Sequence, residues 1–366
     1  MNSVADVNNT QLVALSQFYS ETLQSGKLRH VDMMAHTLGL KEHEGIFQEH
    51  RDILKRCVFR SIDLEWFELG PQRITEIGIA MLNRCGSTSK PITKIQHMRV
   101  YHMRLKETAH LVNSLKCEGH PEDFSFGKTT FVTSSEAKQA LNDSLVPRDL
   151  SGNLKPMVLI GHAVDNDIDV LREKFDFDLA ALGNIVMILD TQVMASELGM
   201  NGQRKMRLGH ILQQFHITEP YLHNAGNDAG QTMVAAALLA GEYATGKGRY
   251  ADANRGDVNH VKALVRKHGK RPRWGVPRFC TNCESTEHMV GGCPNQYWCQ
   301  RCAAVPNLVF RANTHPAAKC GLPETPCKKC VDSKSEYREY TALTHFTEDC
   351  HVDEQMAEYW KNCDTM

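Results

Sequence analysis

Residues 58–67 read VFRSIDLEWF, and apolar and polar side chains alternate along this stretch. A period of two is that of a β-strand, whose successive side chains point to opposite faces. After a short loop that holds Gly70 and Pro71, residues 73–83 read RITEIGIAMLN. The two runs therefore predict a pair of strands joined as a hairpin.

Beyond this hairpin the pattern becomes one of strands that alternate with helices. Residues 92–105 predict a third strand, and residues 106–150 form an irregular stretch. The later runs predict two strands, PMVLIGH (156–162) and NIVMILDT (184–191), and three helices, DIDVLREKF (167–175), RLGHILQQFHI (207–217) and DAGQTMVAAALLAGEYA (228–244). Hairpin strands followed by α/β alternation indicate an α/β fold in which helices flank a mixed sheet.

Composition divides the chain into five parts, namely a helical region (1–56), the α/β domain (57–245), a basic linker (246–279), a cysteine-rich segment (280–351) and a tail (352–366). The formal net charge is -1, so no global field indicates a nucleic acid or a membrane as partner. The N-terminus has no secretory pattern, and no apolar run is long enough to span a bilayer. We therefore expect a soluble protein of the cytoplasm or nucleus, with no membrane partner.

The cysteine-rich segment repeats one pattern three times. Nine of the 13 cysteines lie between residues 280 and 350, in C-x2-C pairs that are each followed by H-x4-C. The repeats predict three four-ligand sets: Cys280, Cys283, His288 and Cys293; Cys299, Cys302, His315 and Cys320; Cys327, Cys330, His345 and Cys350. Structural Zn²⁺ takes four such ligands, so we expect about three zinc ions in CCHC motifs that resemble zinc knuckles. Because His351 and Cys363 are nearby, interleaved ligation remains an alternative to this grouping. The alternative without metal is that the cysteines are reduced and buried in a core.

A basic, partly aromatic stretch precedes and enters this segment. The candidates for nucleic-acid contacts are Lys262, Arg266, Lys267, Lys270, Arg271, Arg273, Trp274, Arg278 and Trp298. Zinc knuckles commonly bind single strands, with aromatic side chains stacking on bases. The aromatic side chains Trp274, Phe279, Tyr297 and Trp298 can equally well pack against small zinc cores. A tail on a linker should be dispensable for cleavage of short substrates.

Carboxylates gather at three places. The strand period puts Asp63 and Glu65 on one face, which is costly on an apolar strand unless a cation lies between them; the alternative is a solvated edge. Asp165, Asp167 and Asp169 cluster where a helix starts, a position that the helix dipole also favours. A further acid, Asp190, stands outside these three places. It ends a strand, and the following Thr191 is typical of a structural turn or cap.

The third place is His223–Ala229, which reads HNAGNDA and opens the last predicted helix. A histidine and an aspartate stand five apart there, bridged by small and polar residues. A plain capped helix explains this stretch when it is taken alone, because Asp, Asn and Gly are common before a first helical turn.

Together these residues resemble the DEDDh group of 3′→5′ exonucleases in the ribonuclease H-like superfamily. The group's Asp-x-Glu matches Asp63 and Glu65, and its His-x4-Asp matches His223 and Asp228. Its Gly-His-Asn motif matches at Gly161 and His162, and the spacing leads on to Asp167. Ala163 stands where the group has Asn, and Asn166 where an aromatic residue precedes the aspartate, which leaves Asp165 and Asp169 as rival third carboxylates.

The resemblance implies the chemistry of the site. Asp63, Glu65, Asp167 and Asp228 would hold two Mg²⁺ or Mn²⁺ ions, and His223 would act as general base, with Gly226 permitting a bend. The substrate would be RNA or single-stranded DNA. The alternative is a zinc-containing scaffold that binds nucleic acid or a partner without catalysis.

The sequence HNAGNDA, with Thr232 downstream and DFSFG at Asp123–Gly127, further resembles a fungal subgroup of these exonucleases. That subgroup includes the Argonaute-associated exonuclease of RNA silencing. The resemblance implies an Argonaute protein as a partner.

Overall fold

The computed structural model describes residues 4–68, 73–83, 91–114, 117–200, 205–246, 255–268, 273–332, 342–347 and 350. Several predicted features lie outside these residues, namely the Gly70–Pro71 loop, Lys270, Arg271, His351, Cys363 and the tail 352–366.

One six-stranded mixed sheet forms the centre of the fold. Its strands are β1 (Val58–Trp66), β2 (Ile74–Leu82), β3 (Arg99–Leu105), β4 (Thr130–Val132), β5 (Met157–Gly161) and β6 (Ile185–Asp190). They lie in the order β4-β3-β2-β1-β5-β6. β2 is antiparallel to β1 and β3, whereas β4, β5 and β6 are parallel to their inner neighbours. The predicted hairpin and the mixed sheet flanked by helices are confirmed.

Ten helices accompany the sheet in the described part of residues 4–268. They are α1 (Val4–Gln24), α2 (His30–Thr37), α3 (Gln48–Leu54), α4 (Pro91–Lys94), α5 (Ser134–Leu145), α6 (Asp165–Phe175), α7 (Thr191–Glu197), α8 (Leu208–Gln214), α9 (Ala225–Thr245) and α10 (Arg255–His268). The predicted third strand is too long, because a helix that starts at Pro91 occupies its first residues. The stretch predicted as irregular contains β4 and α5, which begins with a capping box between Thr133 and Glu136.

Helix α9 lies across one face of the sheet and is buried through most of its length. An apolar surface on every side is typical of a helix inside a protein. It packs on Phe59 and Ala80 of the sheet, whereas Ile62 and Leu64 point to the opposite face, where α5 and α6 pack. The strand period therefore directs Asp63 and Glu65 toward the α9 side.

The N-terminal helices belong to the same core as the sheet. Leu15 and Tyr19 of α1 and Met34 of α2 are buried in the cluster that contains α9. The carboxylate of Glu197 accepts hydrogen bonds of 2.8 Å from the amides of His30 and Val31 and so caps α2.

The described residues of the predicted basic linker, 255–268 and 273–279, include several that pack on the α/β domain. Val258, Val261 and Val265 of α10 enter the core of the α/β domain. Farther along, the backbones of Val276 and Phe131 exchange hydrogen bonds of 2.8 and 2.9 Å. Helical spacing of valines accounts for this burial, which the run of charges in the sequence hides.

Residues 280–350 contain the short helices α11 (Gln300–Ala303) and α12 (Lys328–Asp332) among loops and 3₁₀ turns. The cysteines of the second and third sets are packed in two small apolar clusters, one of which includes Phe67 and Leu111 of the α/β domain. None of the helices in the described ranges is long and apolar enough to cross a membrane.

Candidate active site

Four carboxylates converge where β1 ends, α6 begins and α9 begins. Asp63 and Glu65 come from β1, and Asp228 lies in the first turn of α9. Asp167 reaches from α6 to the strand, where its Oδ1 accepts a hydrogen bond of 2.9 Å from the amide of Leu64, between the two strand acids.

The helix start separates Asp167 from its two neighbours. Asp167 is buried, whereas Asp165 is exposed and Asp169 is exposed and pairs with Arg172 at 2.5 Å. In a helix, residues four apart share a face and the residue between them points elsewhere. The structure therefore brings Asp167, and not Asp165 or Asp169, to the strand acids.

His223 stands over the acids in a backbone conformation that only a few non-glycine residues adopt. Its φ is +63°, its amide donates to Asp228 Oδ2 at 2.7 Å, and its carbonyl accepts from the amide of His120 at 3.1 Å. Its Nδ1 lies 3.9 Å from Glu65 Oε1. The bend that the sequence analysis assigned to Gly226 thus lies at His223 itself, because φ is left-handed there.

Gly78 of β2 and Gly226 at the start of α9 serve close packing. A Cβ on Gly78 would lie 1.8 Å from the carbonyl oxygen of Ala225, and a Cβ on Gly226 would lie 2.5 Å from the Cβ of His102. Real atoms cannot approach so closely, so these positions let the helix start rest directly on β2. This contact sets the position of Asp228 above β1.

The segment DFSFG holds the same helix start from outside. The Oδ1 of Asn227 accepts from the amide of Ser125 at 2.7 Å, and its Nδ2 donates to the carbonyls of Asp123 and Tyr221 at 2.9 and 2.8 Å. The asparagine of HNAGNDA that precedes Asp228 is thus a positioning residue, since its amide is fully used.

A buried pair, Glu76 and His102, was missed in the sequence. Glu76 lies directly opposite Glu65 in the β1–β2 ladder. Its Oε2 is 2.8 Å from His102 Nε2 and accepts from the amide of Ala225 at 3.3 Å. Glu76 is an acid within the apolar run ITEIGIAML, and this was the available signal for a buried pair. Its partner His102 lies on β3, and the sequence pattern does not show this long-range contact.

The pKa values of the four buried acids are raised above their ordinary values. Burial raises the pKa of Asp167 to about 7 and that of Asp228 to about 8. Burial and then the neighbouring carboxylates, Asp228 first for Asp63 and Glu76 first for Glu65, raise the pKa values of Asp63 and Glu65 well above their usual range. Buried like charges are unfavourable unless protons or cations neutralise them.

The same residues fit a divalent cation. Asp228 Oδ1 is buried and has no hydrogen-bond partner among the described residues. Ligand atoms of Glu65, His223 and Asp228 all lie within 4.8 Å of one another. Hard cations such as Mg²⁺ and Mn²⁺ prefer carboxylate oxygens, so an unpartnered oxygen facing further acids is a suitable ligand.

His162 and Ala163 of the Gly-His-Asn match, and Asp190 at the end of β6, have structural roles. His162 Nδ1 lies 2.8 Å from Thr191 Oγ1. Asp190 caps α7 by accepting from the amide of Gln192 at 2.6 Å, in agreement with the expected turn. Ala163, which stands where the family has Asn, has a φ of +56°.

The cysteines and histidines come together in the three sets that the spacing predicts. The Sγ atoms of Cys302 and Cys320, and those of Cys330 and Cys350, are 3.7 Å apart. A disulfide requires about 2.05 Å, whereas a tetrahedron of ligands about 2.3 Å from zinc has sulfurs about 3.8 Å apart. These sulfur distances in the second and third sets therefore have the dimensions of zinc sites and not of disulfides.

The basic and aromatic candidates divide by exposure. Arg266, Lys267, Arg273 and Arg278 are exposed, as are Tyr297 and Trp298, the latter at 61 %. Lys262 is buried and ion-paired with Glu219, which corrects its placement among the free basic residues. Trp274 donates to Asp143 at 3.0 Å and packs edge-on against Tyr101, and Phe279 packs near Phe131.

Residues 58–239 match the DEDDh_C family, described as "DNA polymerase III subunit epsilon-like, C-terminal domain". This match supports the DEDDh exonuclease group.

Individual proteins resemble the same part of the chain. "Good for full DBP5 activity protein 2" of Saccharomyces cerevisiae is 28 % identical over 202 residues, which cover 49 % of this chain and 34 % of that protein. The "Uncharacterized nucleolar protein C2C4.08" of Schizosaccharomyces pombe is 29 % identical over 188 residues, 49 % of this chain and 67 % of that protein. A crystal structure of E. coli exonuclease I with a dA16 oligonucleotide shares 14 % identity, covers 54 % of this chain and 42 % of its own, and has a TM-score of 0.34. The similarity thus spans about a third of the first relative's length.

Proposed function

We propose, with the DEDDh match of residues 58–239 as the premise, that the protein is a metal-dependent 3′→5′ exonuclease. Its substrate would be RNA or single-stranded DNA. The observation that carries the proposal is the convergence of Asp63, Glu65, Asp167 and Asp228 beneath His223, with one buried carboxylate oxygen of Asp228 unpartnered. No purely structural role requires four acids to share one buried corner.

The four carboxylates would hold two Mg²⁺ or Mn²⁺ ions. Such ions, when bound, offset the charge that grows on the attacking and leaving oxygens of a phosphodiester during in-line displacement. The backbone amides of Leu64 and His223 fix one oxygen each of Asp167 and Asp228, which leaves the second oxygen of each for a cation.

His223 would accept the proton of the attacking water at its imidazole. Burial, and after it the neighbouring His120 and Arg207, lower its pKa, so the ring is neutral and basic near pH 7. The anchored backbone on both sides holds the ring over Glu65. A general base in reach of the water contributes typically about 10²–10⁴-fold in rate.

The exposed basic residues and Trp298 would bind the nucleic-acid strand. Arg266, Lys267, Arg273 and Arg278 offer phosphate contacts, and an exposed indole offers a surface for base stacking. The three Cys₃His sets would each hold a structural Zn²⁺.

A panel of labelled single- and double-stranded RNA and DNA, with and without Mg²⁺ or Mn²⁺, tests the proposal. We expect metal-dependent release of nucleotides from one or more single-stranded substrates, and no release by Asp228→Asn. Binding of the same strands without any cleavage would support the scaffold instead.

We further propose that the exonuclease works with an Argonaute protein in RNA silencing, in the cytoplasm or nucleus. The support is the resemblance of HNAGNDA and DFSFG to the fungal subgroup, and a relative named as nucleolar is consistent with a nuclear site. Co-purification with Argonaute and activity on nicked short duplexes are the expected results. Failure of both would leave a general exonuclease.

A further inference from the structure

The second zinc unit, defined here as residues 299–322, packs on the chain that directly follows β1. Phe67 stands two residues after Glu65 and is 1 % exposed. Its ring lies in the apolar core of the second zinc unit, with Cys299, Cys302 and Leu308. The core of a zinc site is therefore completed by the residue that directly follows the strand with the candidate catalytic acids.

Two arginines strengthen this contact. Arg311 is fully buried, and its guanidinium lies 4.6 Å from the centre of the Phe67 ring. Its three guanidinium nitrogens have no hydrogen-bond partner among the described residues. Its charge faces Cys302 and Cys320, whose thiolates would leave a Cys₃His zinc site with a net negative charge. Arg73, at the start of the next strand, donates to the carbonyl of Gly321 at 2.9 Å.

The ladder between β1 and β2 is irregular where the chain turns toward the second zinc unit. The register shifts between Glu65 and Trp66, as in a β-bulge. Bulges next to active sites redirect side chains. Asn113 then donates to the carbonyl of Trp66 at 2.8 Å and accepts from the amide of Glu68 at 2.9 Å. Strand pairing therefore fixes Glu65 on one side, and the docked Phe67 fixes it on the other.

We propose that the second zinc unit positions the active site, so that zinc binding at Cys299, Cys302, His315 and Cys320 strengthens divalent-metal binding at the acid cluster through Phe67 and Glu65. The proposal rests on the proposed function of the acid cluster. Coupling between two sites is reciprocal, so loss of either metal loosens the other. It leads to a result opposite to the expectation that the tail is dispensable, because truncation after residue 245 would remove the residues that cover Phe67.

The third zinc unit, residues 327–350, provides the comparison. It has a small core of its own, and its Leu343 packs on the second zinc unit. Its zinc is thus one step farther from β1. Within the second zinc unit, Phe310 is 54 % exposed and matches Phe67 in residue type.

The test measures Mn²⁺ affinity of the full-length protein by electron paramagnetic resonance, zinc content by elemental analysis, and hydrogen exchange of residues 62–68. Phe67→Ala should keep its zinc, bind Mn²⁺ about tenfold more weakly and exchange faster, since loss of a supporting group typically costs 10–100-fold in metal affinity. Phe310→Ala should match the wild type. Cys302→Ser should lose the zinc of the second unit and weaken Mn²⁺ binding about as much as Phe67→Ala does, and Cys330→Ser should leave Mn²⁺ affinity unchanged.

Wild-type Mn²⁺ affinity in Phe67→Ala, with the protein folded, overturns the proposal even where Cys302→Ser fails to fold. Equal losses in Phe67→Ala and Phe310→Ala overturn it too, because they would reflect general destabilisation. Asp228→Asn separates this failure from that of the proposed function. Wild-type Mn²⁺ binding that Asp228→Asn does not weaken would mean that the acid cluster is not the divalent-metal site.

Discussion

The amide of Leu64 donates a hydrogen bond of 2.9 Å to Asp167, which ties the start of α6 to the strand between Asp63 and Glu65. This contact places the third carboxylate beside the other two, although Asp167 and Leu64 are 103 positions apart in the chain. Asp165 and Asp169 point away, so the choice among three acids becomes a matter of geometry.

Loss of a group that supports a metal ligand typically costs a metal site about 10–100-fold. Replacing Asp167 by Asn should reduce nuclease activity by more than this, because Asp167 would be a ligand itself. Asp165→Asn and Asp169→Asn are matched controls on the same helix and should cleave like the wild type. Initial rates on one labelled strand with saturating Mg²⁺ measure the difference. Full activity in Asp167→Asn beside a dead control would move the site to another acid.

His223→Ala should slow cleavage by about 10²–10⁴-fold and leave Mn²⁺ affinity largely unchanged, because the ring supplies proton transfer rather than a carboxylate ligand. Since the pKa of His223 is lowered, the wild-type rate should rise with pH below about 6.5 and level off by neutral pH. The variant should lose this rising limb. An unchanged pH–rate profile in the variant would remove His223 from the role of general base.

Without divalent metal, the protein should lose stability as pH rises. Carboxyl groups whose folded pKa is raised bind more protons when folded, so they favour folding at low pH and oppose it as pH passes from about 4 to about 8. Mg²⁺ or Mn²⁺ should raise Tm most at the upper end of this window. Asp228→Asn should flatten the slope, which distinguishes it from zinc loss at low pH. A metal-induced rise in Tm that is equal in the variant would contradict the account.

Gly78→Ala should lower the free energy of unfolding by about 1–3 kcal/mol, a usual cost of overpacking, because the new methyl would collide with the backbone of Ala225. It should also weaken Mn²⁺ binding, since α9 carries Asp228. Gly291→Ala is the control, because a Cβ there meets no atom within 4 Å. Denaturant unfolding of both variants gives the comparison, and equal stability would mean that α9 tolerates a shift.

Elemental analysis should find close to three zinc ions per chain, and Cys330→Ser should lower the value to about two, because each set has its own four ligands. One zinc or none in freshly purified protein would contradict the interpretation of the Sγ distances as those of tetrahedral zinc sites.

Local patterns made much of this molecule predictable. Alternation in β1 aligned Asp63 with Glu65, and the C-x2-C and H-x4-C spacings grouped the zinc ligands, because each pattern acts within a few residues. Residues 92–95, which read ITKI, fit a helix as well as a strand, so only Pro91 distinguished the two. Lys262 looked like part of a charged run, and its partner Glu219 could not be read from the sequence. The docking of Phe67 in the second zinc unit depends on contacts more than 200 residues apart, which no local pattern encodes.

The proposed function requires that the acid cluster cleaves a strand from its 3′ end with divalent metal. The most direct measurement follows a 5′-labelled single strand with Mg²⁺ or Mn²⁺, comparing the wild type with Asp228→Asn. The account predicts a ladder of products that shorten stepwise from the 3′ end with the wild type, and none with the variant. Internal cuts, a ladder from the 5′ end, or equal cleavage by both proteins would contradict it.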